Sequence, residues 1–149
     1  MAICGSTGSG KSTMLLAILG MIDVTAGHVA VDGVPTSQLA PAALRQRFEV
    51  ISQDYFSCAR TVREELDPDA EFSDEEIYDA LRECGLWDKI GAVTGLTGLR
   101  DELNLSNGES QLLCLAGVML RSKRQPGVIL LLDEATSRYV QAVFLDLSP

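Results

Sequence analysis

The sequence predicts an α/β fold with a mostly parallel sheet, and three observations carry that prediction. Gly5-Ser6-Thr7-Gly8-Ser9-Gly10-Lys11-Ser12 fits G-x-x-x-x-G-K-[ST], a phosphate-binding loop that sits between a strand and a helix. Val128-Ile129-Leu130-Leu131-Leu132 is an apolar run with no alternation, which reads as a central strand covered on both faces. Between these two stretches, Ser73-Asp74-Glu75-Glu76 and Ser106-Asn107-Gly108-Glu109 are capping boxes, each opening a pattern of helical period.

The residue types of the loop follow from its chemistry. Glycines let the backbone curl until several N–H groups converge on one anion. Lys11 adds a charge for the β- and γ-phosphates, and the Ser12 hydroxyl is a ligand for Mg²⁺. Met14, Leu15, Ile18, Leu19 and Ile22 recur at helical spacing, so a helix is expected directly behind the loop, its positive end toward the phosphates. The strand before it is reduced to Met1-Ala2-Ile3-Cys4. A Gly/Ser-rich linker that happens to precede a lysine is the alternative, and the helical pattern behind the loop argues against it.

Composition narrows the classes. A chain of 149 residues is expected to form one domain, and 46% apolar content argues against disorder. A net charge of −9 disfavours a nucleic-acid partner. Cys4, Cys58, Cys84 and Cys114 form no C-x-x-C pair and read as reduced thiols. There is no secretory signal pattern, and the longest apolar run, from Met14 to Ile22, falls short of the ~20 residues of a membrane helix, so the chain by itself is expected to be soluble.

In chain order, Asp23 to Gly27 reads as a turn, and His28 to Val31 as a short strand closed by Asp32-Gly33. Pro41 opens a short helix through Leu44. Phe48 to Ser52 is a second strand ending in Gln53-Asp54, polar residues where a parallel strand meets a ligand crevice. Thr61 caps a helical turn through Leu66, stopped before Pro68. Glu64, Glu65, Asp67, Asp69, Glu71, Asp74, Glu75 and Glu76 lack the order of a calcium loop and are expected to form a solvated acidic surface. Behind Ser73, Ile77, Ala80, Leu81 and Cys84 share one face; Gly85 ends that helix, and Leu86 and Trp87 pack back. The glycines between Gly91 and Leu99 mark a loop. The helix behind Ser106 carries Leu112, Leu115, Ala116 and Met119, widened by Leu113 and Leu120, with Arg121, Lys123 and Arg124 at its negative end.

Four features thus stand in one order: the phosphate loop, Gln53 at a strand end, Leu105 to Glu109 at a helix start, and an apolar strand ending in Asp133-Glu134. Taken singly, Asp133 is also explained as a helix cap, Gln53 as a surface loop residue, and Ser106 with Glu109 as a capping box. Together they resemble the nucleotide-binding domain of an ATP-binding cassette (ABC) transporter, from the first residues to about Ser137. Ile51-Ser52-Gln53-Asp54, Thr61-Val62-Arg63 with Leu66-Asp67-Pro68, and Gln111 to Ala116 are similar to the second such domain of multidrug-resistance-associated (subfamily C) transporters.

The resemblance implies a P-loop NTPase core with a helical signature subdomain over about 58–121, incomplete at both termini, within 1–137, and a divergent tail over 138–149. It implies ATP and Mg²⁺ as ligands and ATP hydrolysis powering transport. Gly5, Ser6, Thr7, Gly8, Ser9, Gly10, Lys11, Ser12 and Thr13 match the Walker A loop, with Ser12 on the metal. Asp133 matches the Walker B aspartate that orients Mg²⁺ through water, Glu134 the general base, and Gln53 the glutamine that senses Mg²⁺ and the γ-phosphate. Ser106 and Gly108 match signature residues that bind the γ-phosphate of ATP held by a partner domain. The implied partners are a second nucleotide-binding domain and transmembrane domains, with a homodimer as a substitute, at the cytoplasmic side of a membrane.

There are departures. Glu109 stands where the signature usually has Gln, and Gly117-Val118 where Arg-Ala is common. Arg138-Tyr139-Val140 replaces the approach to the D-loop aspartate. The only histidine, His28, lies far upstream of the place of the switch histidine, and the adenine-stacking aromatic would precede Met1. A non-hydrolysing nucleotide-binding or dimerisation module is therefore the second reading. A chromosome-maintenance ATPase is set aside, because no long coiled coil separates Gln53 from Ser106 and the charge is acidic.

Overall fold

The structure, a computed structural model, describes residues 3–52, 57–125 and 127–133. Gln53, Glu134 and the segment 138–149 lie outside the described residues. The chain divides into two compact units, Met1–Val50 with Gly127–Leu131, and Ile51–Pro126 with Leu132–Pro149.

In the first unit, helix α1 (Lys11–Ile18) follows the glycine loop. Gly20, at φ 64, turns the chain out of the helix, with Met21 N–H donating to the Leu16 carbonyl and Gly20 N–H to that of Ala17. The stripe expected to reach Ile22 is cut short by this cap. Leu19 alone of its members is buried, and Ile22 is exposed beyond the helix end. Strands β1 (Ala30–Val31) and β2 (Val34–Pro35) pair antiparallel, Ala30 opposite Pro35 and Val31 opposite Val34. Asp32 and Gly33 both have positive φ, the two-residue turn whose twist suits a hairpin. Helix α2 (Pro41–Arg45) opens on its proline, whose fixed φ and missing N–H suit that position. Leu19, Leu44 and Phe48 form the core, with Ile18, Val31, Leu39 and Leu131 packed against them.

Strands β3 (Phe48–Ile51) and β4 (Ile129–Leu132) form the second two-stranded sheet. Ile129 N–H donates to the Arg47 carbonyl, and Asp133 N–H to that of Ile51. The partners advance together along both strands, so the pair is parallel. Full cover of β4 is not observed. Leu131 packs on the core, whereas Ile129 and Leu132 are exposed, and among the described residues β3 is the strand that pairs with β4. Ile3 and Cys4 belong to no strand.

The second unit is helical: α3 (Val62–Leu66), α4 (Asp74–Glu83), α5 (Trp87–Val93) and α6 (Asn107–Arg124). Both α3 and α4 pack on α6, whose Leu113, Leu115, Ala116 and Leu120 are sealed from solvent together with Val62, Leu66, Ile77 and Leu81. Full capping boxes start three of the helices, at Thr61 with Glu64, Ser73 with Glu76 and Ser106 with Glu109. Gly85 closes α4 at φ 68, with Leu86 N–H bonded to the Leu81 carbonyl.

Two expectations fail here. The segment from Gly91 is not all loop, since Gly91 lies inside α5. A Cβ at Gly91 would come within 3.1 Å of the Trp87 ring, which packs one turn earlier and meets the Tyr78 ring in a tilted contact with centroids 4.4 Å apart. Burial of Ile90 and this ring contact outweigh the weak helix propensity of glycine. Nor is the acidic run uniformly solvated. The Glu65 side chain is buried with its Oε2 2.8 Å from Arg100 Nε. Asp67 is buried too, accepting from the N–H groups of Glu71 and Phe72. A buried carboxylate requires such partners, and the fold supplies them.

Candidate functional site

The glycine loop is exposed from Gly5 to Gly10, and its shape depends on glycine at two points. Gly8 and Gly10 adopt φ 80 and φ 92, conformations that L side chains strain to reach. Ser9 N–H donates to the Ser6 carbonyl across the turn. Lys11 folds back over the loop, its Nζ donating to the carbonyls of Gly5 (2.8 Å) and Ser6 (3.1 Å). Gly10 is the N-cap of α1, without a side-chain capping bond and with no acidic residue in the first turn. By contrast, α3, α4 and α6 each have a carboxylate in the first turn and a capping hydroxyl. The N-terminus of α1 therefore keeps its positive end for an outside anion. Ser12 and Thr13 in its first turn are exposed.

The start of α6 is organised differently. Ser106 Oγ accepts from the Glu109 N–H and donates to Glu109 Oε2, which also accepts from the Ser106 N–H at 2.8 Å. From α5, Lys89 Nζ reaches both Glu109 oxygens, at 2.8 and 2.9 Å. The Lys89 ammonium, then the Ser106 N–H and hydroxyl, hold the Glu109 carboxyl down at about 2. Gly108 lies half-buried in the same turn. At the end of the β3–β4 ladder, Asp133 is half-buried, its N–H bonded to the Ile51 carbonyl. The next carbonyl, of Ser52, accepts from Gln111 Nε2 of α6 at 3.2 Å.

The family model described as ABC transporter matches residues 1–137. The chain belongs to the ABC transporter family. It is 45% identical over 148 residues to the ABC-type transporter phomO of Diaporthe leptostromiformis, covering 92% of this chain and 10% of that protein. The ABC transporter gloK of Glarea lozoyensis is 42% identical over 137 residues, covering 92% and 10%. ATP-binding cassette sub-family C member 10 of Mus musculus is 42% identical over 139 residues, covering 92% and 9%. The chain thus spans about a tenth of the length of these curated relatives. None of the described helices is long and apolar enough to cross a membrane.

ABC domains bind ATP, and the described residues suit that ligand. The glycine-capped N-terminus of α1 and the Lys11 ammonium offer an open cradle for phosphate. Among the described residues no three His, Cys, Asp or Glu side chains cluster as a metal site. Of the residues expected at the site, Gly5 to Thr13 form one loop and helix start, and Ser106 and Gly108 share the first turn of α6. Sequence reading missed Lys89 and Gln111. Lys89 lies twenty positions before its partner with no local pattern. Gln111 opens the segment noted above for its resemblance to subfamily C domains, but nothing local to that segment marks its bond to Ser52.

Proposed function

We propose that the chain is an ATP-binding domain of ABC-type transmembrane transport, able to hydrolyse ATP when paired with a second such domain. The observation that carries this is the uncapped, glycine-started N-terminus of α1 with Lys11 held over the loop. Polyphosphate entering the loop would accept from the backbone N–H groups and draw Lys11 from the Gly5 and Ser6 carbonyls to phosphate oxygens. Gly5 to Thr13 are the phosphate-binding residues. Ser12, Gln53 and Asp133 are assigned to Mg²⁺, which when bound neutralises charge developing on the phosphates. Glu134 is the base that takes the proton of the attacking water, and Gln53 senses Mg²⁺ and the γ-phosphate.

Ser106 and Gly108 are assigned to the γ-phosphate of a nucleotide on the partner domain, either another nucleotide-binding domain or a second copy of this chain. Residues 1–137 make up the domain, with a helical part over about 58–121, and the remaining partners are transmembrane domains at the cytoplasmic side of a membrane. The mouse relative's name supports the subfamily C assignment, and the second of that subfamily's two domains is the one proposed.

A second reading, nucleotide binding without turnover, is favoured by Glu109. Its carboxylate already accepts from the Ser106 N–H and hydroxyl, the groups a partner's phosphate would need, and its charge there is only partly offset by Lys89. Steady-state phosphate release by the chain mixed with a second ABC nucleotide-binding domain, alongside the same mixture made with Glu134→Gln, separates the two. Turnover at about 1 s⁻¹ or faster that the variant abolishes supports hydrolysis. Binding with release at background in both mixtures supports the second reading.

A further inference from the structure

Gln111 sits on α6 two residues beyond Glu109, and its side chain is buried next to Leu112 and Leu113. A buried amide persists where its polar atoms are hydrogen-bonded. Its Nε2 reaches 59 residues back to the Ser52 carbonyl, at 3.2 Å. Ser52 directly follows β3, and the carbonyl before it, of Ile51, accepts from the Asp133 N–H at 2.9 Å. Two consecutive carbonyls at one strand end are thus held from two directions. One bond comes from the helix that begins at Ser106, the other from the residue proposed to orient Mg²⁺.

A helix moves as a rigid element over its first turns, so a displacement at Ser106 carries Gln111 with it. The Gln111–Ser52 bond passes that displacement to the Ile51–Ser52 peptide, and the ladder bond passes it to the Asp133 backbone. We propose that Gln111 is a positioning residue that ties the first turns of α6 to Asp133, so that the state of this helix sets how well Asp133 serves Mg²⁺. This rests on the assignment of Asp133 to the metal made above.

The test is the gain in ATP affinity that Mg²⁺ confers, measured by calorimetry in Mg²⁺ and in EDTA. Wild type, Gln111→Met, Gln111→Asn and Gln111→His are compared, with the thermal transition of each as the folding control. Met cannot donate, Asn is too short to reach Ser52, and His offers a ring nitrogen near the place of Nε2. In EDTA all four proteins should bind ATP within about twofold. The Mg²⁺ gain should fall at least fivefold in the Met and Asn variants and return in Gln111→His. A gain equal to wild type in a folded Met or Asn variant overturns the proposal, as does a gain lost equally in the His variant. Failure of the wild type to bind ATP at all would instead overturn the functional reading beneath it.

Discussion

Replacing Glu109 by Gln tests the charge arrangement at the start of α6. Gln can still accept from the Ser106 N–H and complete a capping box, so the cap survives. What is lost is the pair of contacts from Lys89 at 2.8 and 2.9 Å. A carboxyl lowered from 4.5 to about 2, by Lys89 first and by the Ser106 N–H and hydroxyl after it, corresponds to on the order of 3 kcal/mol, of which Lys89 supplies a part. Both side chains are about a third exposed, so solvent screening cuts the pair to about 1 kcal/mol. Because the folded value is depressed, this stability is present above pH 4.5 and is lost as pH falls from 4.5 through about 2. Urea unfolding at pH 7 should therefore place the Glu109→Gln midpoint about 0.5 M below wild type. The gap should narrow as pH drops through that window, and adding Lys89→Met to the Glu109→Gln variant should cost little more. A gap that is absent at pH 7, or that stays constant down to pH 2, would contradict a stabilising Lys89–Glu109 pair.

Two further substitutions probe separate links. Asp67→Ala removes the acceptor of two N–H groups, one belonging to buried Phe72, together with a partner of Arg63 at 3.6 Å. A loss of about 3 kcal/mol in urea unfolding is expected, and a loss under about 1 kcal/mol would contradict the role given to Asp67. Gly10→Ala forces a Cβ onto a residue at φ 92, costing about 1–2 kcal/mol that the free loop can escape by relaxing but the phosphate-bound loop cannot. ATP affinity should fall about tenfold with the thermal transition nearly unchanged; an unaltered affinity would mean the loop binds in another conformation.

What the sequence made legible was local. The phosphate loop and the boxes at Ser73 and Ser106 were readable because their geometry is set within a few residues of glycine or a capping hydroxyl. Gly20 was available as a stop signal for α1, but the apolar spacing through Ile22 masked it. Gly91 misled in the other direction, since a glycine in a helix looks like a break until the Trp87 ring that occupies its empty side is seen. Glu65 and Asp67 read as part of an acidic surface because Arg100, which faces Glu65, is 35 positions away and leaves no periodic mark. The cover of β4 was overestimated because an apolar run reports what a strand tolerates, not which elements lie against it. At the site, the sequence named the loop but not the supporting contacts of Lys89 and Gln111, which arise where separate helices meet.

The central claim, that the loop from Gly5 to Thr13 binds Mg-ATP through Lys11, is tested most directly by calorimetric titration of wild type and Lys11→Ala. Saturable binding by wild type is expected, with a loss of about tenfold or more in the variant, whose cradle lacks its charged group. Equal affinity in the two proteins would contradict it.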